Sequence, residues 1–199
     1  MTNFPDYHKA TNTAYEVLIN QDIFELPVNL NKIIFLHRRD IRLLTYSQMA
    51  ARFSMTASEF REVAPSEFGF TMKQNCKKYI LYNEEKGYYT NRFTIAHEIG
   101  HAILGHEAED SVVEREANCF ARNLLCPVPA IDALGISNTD GYTGWFHVSD
   151  SMAEISIKNI LSDRYHIEDC YKSKINDLLY IYMTGESLAS AYSYIYQYI

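Results

Sequence analysis

Residues 92–106 read Arg-Phe-Thr-Ile-Ala-His-Glu-Ile-Gly-His-Ala-Ile-Leu-Gly-His, and the periodicity of this stretch decides what element it forms. On a wheel of about 100° per residue Ala96, Ile99 and Ile103 cluster on one side, while His97 and His101 fall together on the other. The pattern predicts an amphipathic helix with its apolar stripe in a core and its two histidines facing a cleft. Positions four apart on one helix face lie roughly 6 Å from each other, so the two imidazoles can converge on a single metal ion. Glu98 lies to the side of that face, where a carboxylate reaches a zinc-bound water rather than the zinc. Its expected role is general base: it takes a proton as water attacks a peptide carbonyl and hands it to the leaving amine. Gly100 adds no side chain beside the metal face and leaves room for another element to approach closely.

A catalytic zinc needs a third protein ligand and keeps a fourth position open. His106 does not stand at the spacing H-x-x-G-x-x-H after the second histidine, and it reads as a loop residue near the site. A carboxylate on the next helix is the better source. In residues 111–126 Val113, Ala117, Phe120 and Leu124 form an apolar stripe, flanked about equally by Glu114 and Glu116, so periodicity does not choose between the two acids. Ser111 with Glu114 fits a capping box, which would hold Glu114 at the helix start and leave Glu116 for the metal. The expected ligands are therefore His97, His101 and Glu116, with Glu114 as the alternative, and the expected cofactor is Zn2+.

Working outward, residues 10 to about 23 are helical in pattern and Pro27 breaks the run. Thr45 with Gln48 and Thr56 with Glu59 are two further capping boxes, which predict two short helices joined by a tight turn. That pair looks superficially like a helix-turn-helix, but Glu59 and Glu62 flank a lone Arg61, the wrong sign for entering a major groove. Residues 78–83, rich in aromatic and branched side chains, predict a strand leaving through a turn. The helix through Cys126 should stop at Pro127 and Pro129; residues 138–141 read as a turn; Ser149 or Asp150 caps a helix through Ile155, Ile157, Ile160 and Leu161. Residues 174–183 look helical, whereas Tyr192, Tyr194, Tyr196 and Tyr198 alternate with period two, as an edge strand, a dimer contact or a docked tail would.

With 199 residues and 47% hydrophobic content, the chain can bury one substantial core, here residues 1–170, with residues 171–199 as a tyrosine-rich extension packing on the domain or at an oligomer contact. A formal charge of −7 argues against tracking along a phosphate backbone, so a protein or small-molecule partner is expected rather than nucleic acid. No apolar run approaches the roughly 18 residues of a membrane span, and no signal-peptide pattern opens the chain. Cys76, Cys119, Cys126 and Cys170 lie far apart without C-x-x-C pairing, which suits buried free thiols in a reducing, cytoplasmic setting.

Arg92–His106, followed by Glu114–Pro127 (EREANCFARNLLCP), resembles the ImmA/IrrE family of bacterial metallo-endopeptidases: two motifs in the right order at short spacing. Residues 25–33, 45–50, 69–85 and the helix entry at 146–149 resemble it more loosely, so the likeness runs from roughly residue 10 to 165 and leaves out the tail. The resemblance implies an α+β, zincin-like fold, mostly helical with a small β-sheet. It implies zinc on His97, His101 and Glu116, Glu98 as the catalytic residue and Asn118 as a supporting one. Such proteins often cut a helix-turn-helix repressor encoded on phage or other mobile elements after a stress signal. Cys126 stands where that family usually has methionine, a difference expected to change packing only. Two other classes of function compete with a zinc endopeptidase: a zinc-containing binding or sensor module that sequesters a repressor without cutting it, and a DNA-binding regulator built on residues 45–64. No oxyanion-stabilising residue is assigned; His147 and Tyr142 read more readily as structural.

Overall fold

Both capping boxes form as read. In the computed structural model, which describes residues 4–20, 24–107 and 110–186, Thr45 accepts the Gln48 N–H and Thr56 accepts the Glu59 N–H, and each partner side chain reaches back to the cap backbone. They open α3 (Tyr46–Arg52) and α4 (Ala57–Val63). Two helices precede them, α1 (Tyr7–Ile19) and α2 (Leu30–Leu36). The first begins three residues before the expected Ala10, because the Asp6 carboxylate accepts the Lys9 N–H and caps it there.

Three strands form one sheet among the described residues: β1 (Ile41–Thr45), β2 (Gly69–Gln74) and β3 (Lys77–Tyr82), in the order β1-β3-β2. The expected strand at 78–83 is thus the central one. It runs parallel to β1, with Leu43 beside Ile80, and antiparallel to β2, with Thr71 beside Ile80. The β2–β3 hairpin turns through Asn75 and Cys76, both at positive φ (50° and 59°). A two-residue hairpin turn of type I′ needs left-handed backbone at both positions, and a cysteine in the second, where glycine is usual, hides the signal in the sequence.

After the sheet come α5 (Tyr88–Leu104), α6 (Ser111–Leu125), α7 (Val128–Leu134), α8 (Thr139–Phe146), α9 (Asp150–His166) and α10 (Asp169–Thr184). Asn138 opens a helix rather than a turn, its side chain accepting the Gly141 N–H as the N-cap of α8. Pro127 ends α6 and at once caps α7, and Ser149 caps α9 by accepting the Met152 N–H. The helix expected at 174–183 is the body of α10, which sends Ile175 and Leu179 into the main core; the four alternating tyrosines lie outside the described residues. The architecture is mostly helical with a small sheet, the α+β arrangement expected. Among the described residues no single helix is long and apolar enough to cross a membrane.

The main core gathers Ala14 and Leu18 of α1, Ile80 of β3, Ala96 and Ile99 of α5, and Phe120 and Leu124 of α6. Cys126 joins it, and burial pushes its thiol up to about 12, which leaves it inert and part of the packing; Cys119 is buried too, whereas Cys76, in a hairpin turn, and Cys170 are exposed, against the expectation of buried thiols. A smaller cluster of Tyr46, Met49, Ala50, Phe60 and Leu81 seats α3 and α4 on the sheet.

Within the helical layer Arg122 of α6 and Asp163 of α9 form a buried two-pronged ion pair, Nε to Oδ2 at 2.6 Å and Nη2 to Oδ1 at 2.7 Å. Removing one partner strands the other charge away from water, at a cost of about 3–5 kcal/mol. Asp163→Asn is expected to lose stability of that order, read as a lowered midpoint in urea unfolding; an unchanged midpoint would mean that Arg122 finds another acceptor.

Candidate metal centre

The scaffold of the site is the contact between α5 and α6. A Cβ added at Gly100 would lie 2.9 Å from Cδ1 and 3.3 Å from Cβ of Phe120, so the absent side chain is what lets α6 come this close. Phe120 is fully buried and has no room to swing aside. In Gly100→Ala, overpacking costs about 1–3 kcal/mol, against a helix-propensity gain of about 1 kcal/mol. A net loss of stability is expected, measured by thermal unfolding of metal-free protein.

On the open face of α5, Nε2 of His97 and Nε2 of His101 lie 2.9 Å apart. From α6 the carboxylate of Glu114 meets both, Oε1 at 3.2 Å from His101 and Oε2 at 3.3 Å from His97. These three side chains offer ligand atoms within 4.8 Å of one another. Glu116 does not join them. It faces away, accepting Nε2–H of His106 at 3.0 Å and the backbone N–H of Asp6 at 2.7 Å. It is therefore Glu114, the alternative, and not the expected Glu116 that meets the two histidines, and the cause is the cap. Asp110, not Ser111, caps α6 by accepting the N–H groups of Val112 and Val113. Ser111 is then already helical, no capping box engages Glu114, and its carboxylate is available to the histidines.

Each histidine has its Nδ1 engaged elsewhere: that of His97 donates to Oδ1 of Asn118 at 3.1 Å, and that of His101 meets Nδ1 of His106 at 3.0 Å. Asn118, a supporting residue by resemblance, is thus in contact with the site. Burial pushes both His97 and His101 down to about 4, the charge of neighbouring His97 adding to the effect at His101, so both rings are neutral near pH 7. Two neutral imidazoles and a carboxylate thus bring two nitrogen donors and an oxygen donor to one point. That donor set fits a divalent metal with one position left open.

Glu98 stands beside this group and outside it. Its residue is only 7% exposed, and Oε2 accepts the hydroxyl of Thr71 on β2 at 2.8 Å. Thr71 escaped the sequence reading because only the register of β2 along α5 brings it there. Glu98, the histidines and Glu114 line a cleft of about 1020 Å³, walled on one side by β2 residues Gly69, Phe70 and Thr71 and on another by Phe93, Met152 and Ile155. Among the described residues β2 is paired along one edge only. Tyr142 is buried in the core away from this cleft, and His147 lies at a left-handed position against Tyr88.

A small sheet, a helix presenting two histidines one turn apart and an acid delivered from the following helix define a metallopeptidase-type centre. Residues 59–135 match the model of the IrrE N-terminal-like domain, Peptidase_M78, which agrees with the ImmA/IrrE resemblance and with a metallopeptidase-type site. No curated protein matches the chain.

Proposed function

We propose that this protein is a zinc-dependent endopeptidase in which His97, His101 and Glu114 hold the metal and Glu98 moves the proton. The observation that supports this most directly is the convergence of two neutral imidazoles and the Glu114 carboxylate on the floor of an open cleft, with a second, buried carboxylate beside them. Two nitrogens and one carboxylate are a usual donor set for catalytic zinc. Bound there, zinc supplies Lewis acidity that polarises a peptide carbonyl and acidifies water. Glu98 accepts a proton from the attacking water and delivers it to the leaving amine nitrogen, so that the amide and water become a carboxylic acid and an amine. The Thr71 hydroxyl holds one oxygen of Glu98, which orients the carboxylate for this transfer. The unpaired edge of β2 along the cleft favours an extended peptide as substrate, because its backbone can add to the sheet as a further strand.

The substrate that the ImmA/IrrE likeness favours is a helix-turn-helix repressor-type protein in a mobile-element or stress circuit of the cytoplasm. The test is incubation of zinc-loaded protein with the repressor encoded beside it, followed by intact-mass spectrometry. A discrete pair of fragments, absent when a chelator is present, is expected. Loss of repressor function with its mass intact would instead favour sequestration.

A further inference from the structure

Glu116 and His106 take no part in the chemistry above, yet both are held in place: their side chains are 14% and 7% exposed. They form a continuous line to the centre. The backbone N–H of Asp6 donates to Oε1 of Glu116, Oε2 of Glu116 meets Nε2 of His106, and Nδ1 of His106 meets Nδ1 of His101. For two neutral rings the line from Glu116 admits one placement of hydrogens, and the 2.9 Å approach of the two Nε2 atoms of His97 and His101 is then a contact that carries none. A carboxylate only accepts, so Nε2 of His106 carries the hydrogen, and in the neutral ring Nδ1 is then bare. The bond between the two Nδ1 atoms needs one hydrogen, which must therefore belong to His101. A neutral His101 protonated at Nδ1 has a bare Nε2, the atom that faces Glu114 and His97.

We propose that Glu116 and His106 are positioning residues that fix His101 in its Nδ1–H tautomer and so keep Nε2 available to a metal ion, with the backbone of Asp6 anchoring the far end. The proposal rests on the reading of His97, His101 and Glu114 as metal-holding residues. It gives Glu116 a role two steps removed from the metal. It also ties the capped start of α1 to the centre, since Asp6 both caps that helix and anchors Glu116. Outer partners of this kind orient the ring and raise its basicity, and their loss typically lowers metal affinity about 10- to 100-fold.

The test uses the full chain and two readouts. Long-range ¹H–¹⁵N correlation of the imidazoles in metal-free protein near pH 7 reports the tautomer of His101. Competition with a chromophoric chelator reports zinc affinity. Wild type is expected to show His101 as the Nδ1–H form alone. His106→Phe should shift His101 toward the Nε2–H form and lower zinc affinity about 10- to 100-fold. His106→Gln keeps an oxygen to accept from Nδ1 and should recover most of both. Glu116→Gln, close in size, guards against a folding defect and should weaken zinc by about tenfold. Should His106→Phe leave the tautomer and the affinity unchanged, or should His106→Gln behave no better than His106→Phe, the relay is overturned. A wild type that binds no zinc would overturn the metal-centre reading instead, and the tautomer signals would still decide the relay.

Discussion

Glu98→Gln protein is expected to bind zinc as tightly as wild type and to lose between about 10² and 10⁴ in cleavage rate, the range by which a positioned acid–base group accelerates a reaction. The reason is geometric. Glu98 lies outside the group formed by His97, His101 and Glu114, so changing it leaves every proposed metal ligand in place. Glutamine matches the size of glutamate and its amide oxygen still accepts from Thr71, so the packing of the site is retained. What disappears is the capacity to take a proton from water. Zinc content by mass spectrometry and the rate of repressor cleavage, measured on the same preparation, check both halves. A variant that still cuts at the wild-type rate would remove Glu98 from the mechanism. A variant that loses zinc would place it among the ligands.

The second large effect separates the two glutamates of α6. Glu114→Ala is expected to weaken zinc by more than about a hundredfold, beyond what loss of an outer partner causes, because it removes one of the three converging donors. Glu116→Ala should stay within about 10- to 100-fold, because its carboxylate touches His106 and the Asp6 backbone rather than the metal-facing atoms. Chelator competition on the two variants and wild type gives the order directly. If Glu116→Ala proves the more damaging, the helix enters the site in a different register from that described, and Glu116 returns as the ligand.

Much of this site could be read without coordinates. His97, Glu98 and His101 share one helix, and a helix obeys a local period, so their relative directions follow from spacing alone. The same holds for the caps at Thr45, Thr56 and Ser149, where a side chain bonds to backbone three residues away. The need for space at Gly100 was legible too, although not that Phe120 would fill it. The reading failed where one residue of register mattered. Asp110 and Ser111 are both competent caps, and choosing the wrong one turned Glu114 inward to the helix start and sent Glu116 to the metal. The strands β1 and β2 escaped because they are short and only half-buried, and because Asn75-Cys76 does not announce a tight turn.

By itself, then, the sequence determined the helix that carries His97, Glu98 and His101, the common face of its two histidines and the resemblance that this pattern carries, because these depend on bonds and periods within a few residues. Only the tertiary structure decided that Glu114 meets the histidines, that Thr71 holds Glu98 and that Glu116 reaches them through His106. Each of those contacts joins separate elements, and the angle at which one element packs on another is set by the side chains between them, as Phe120 against Gly100 sets it here.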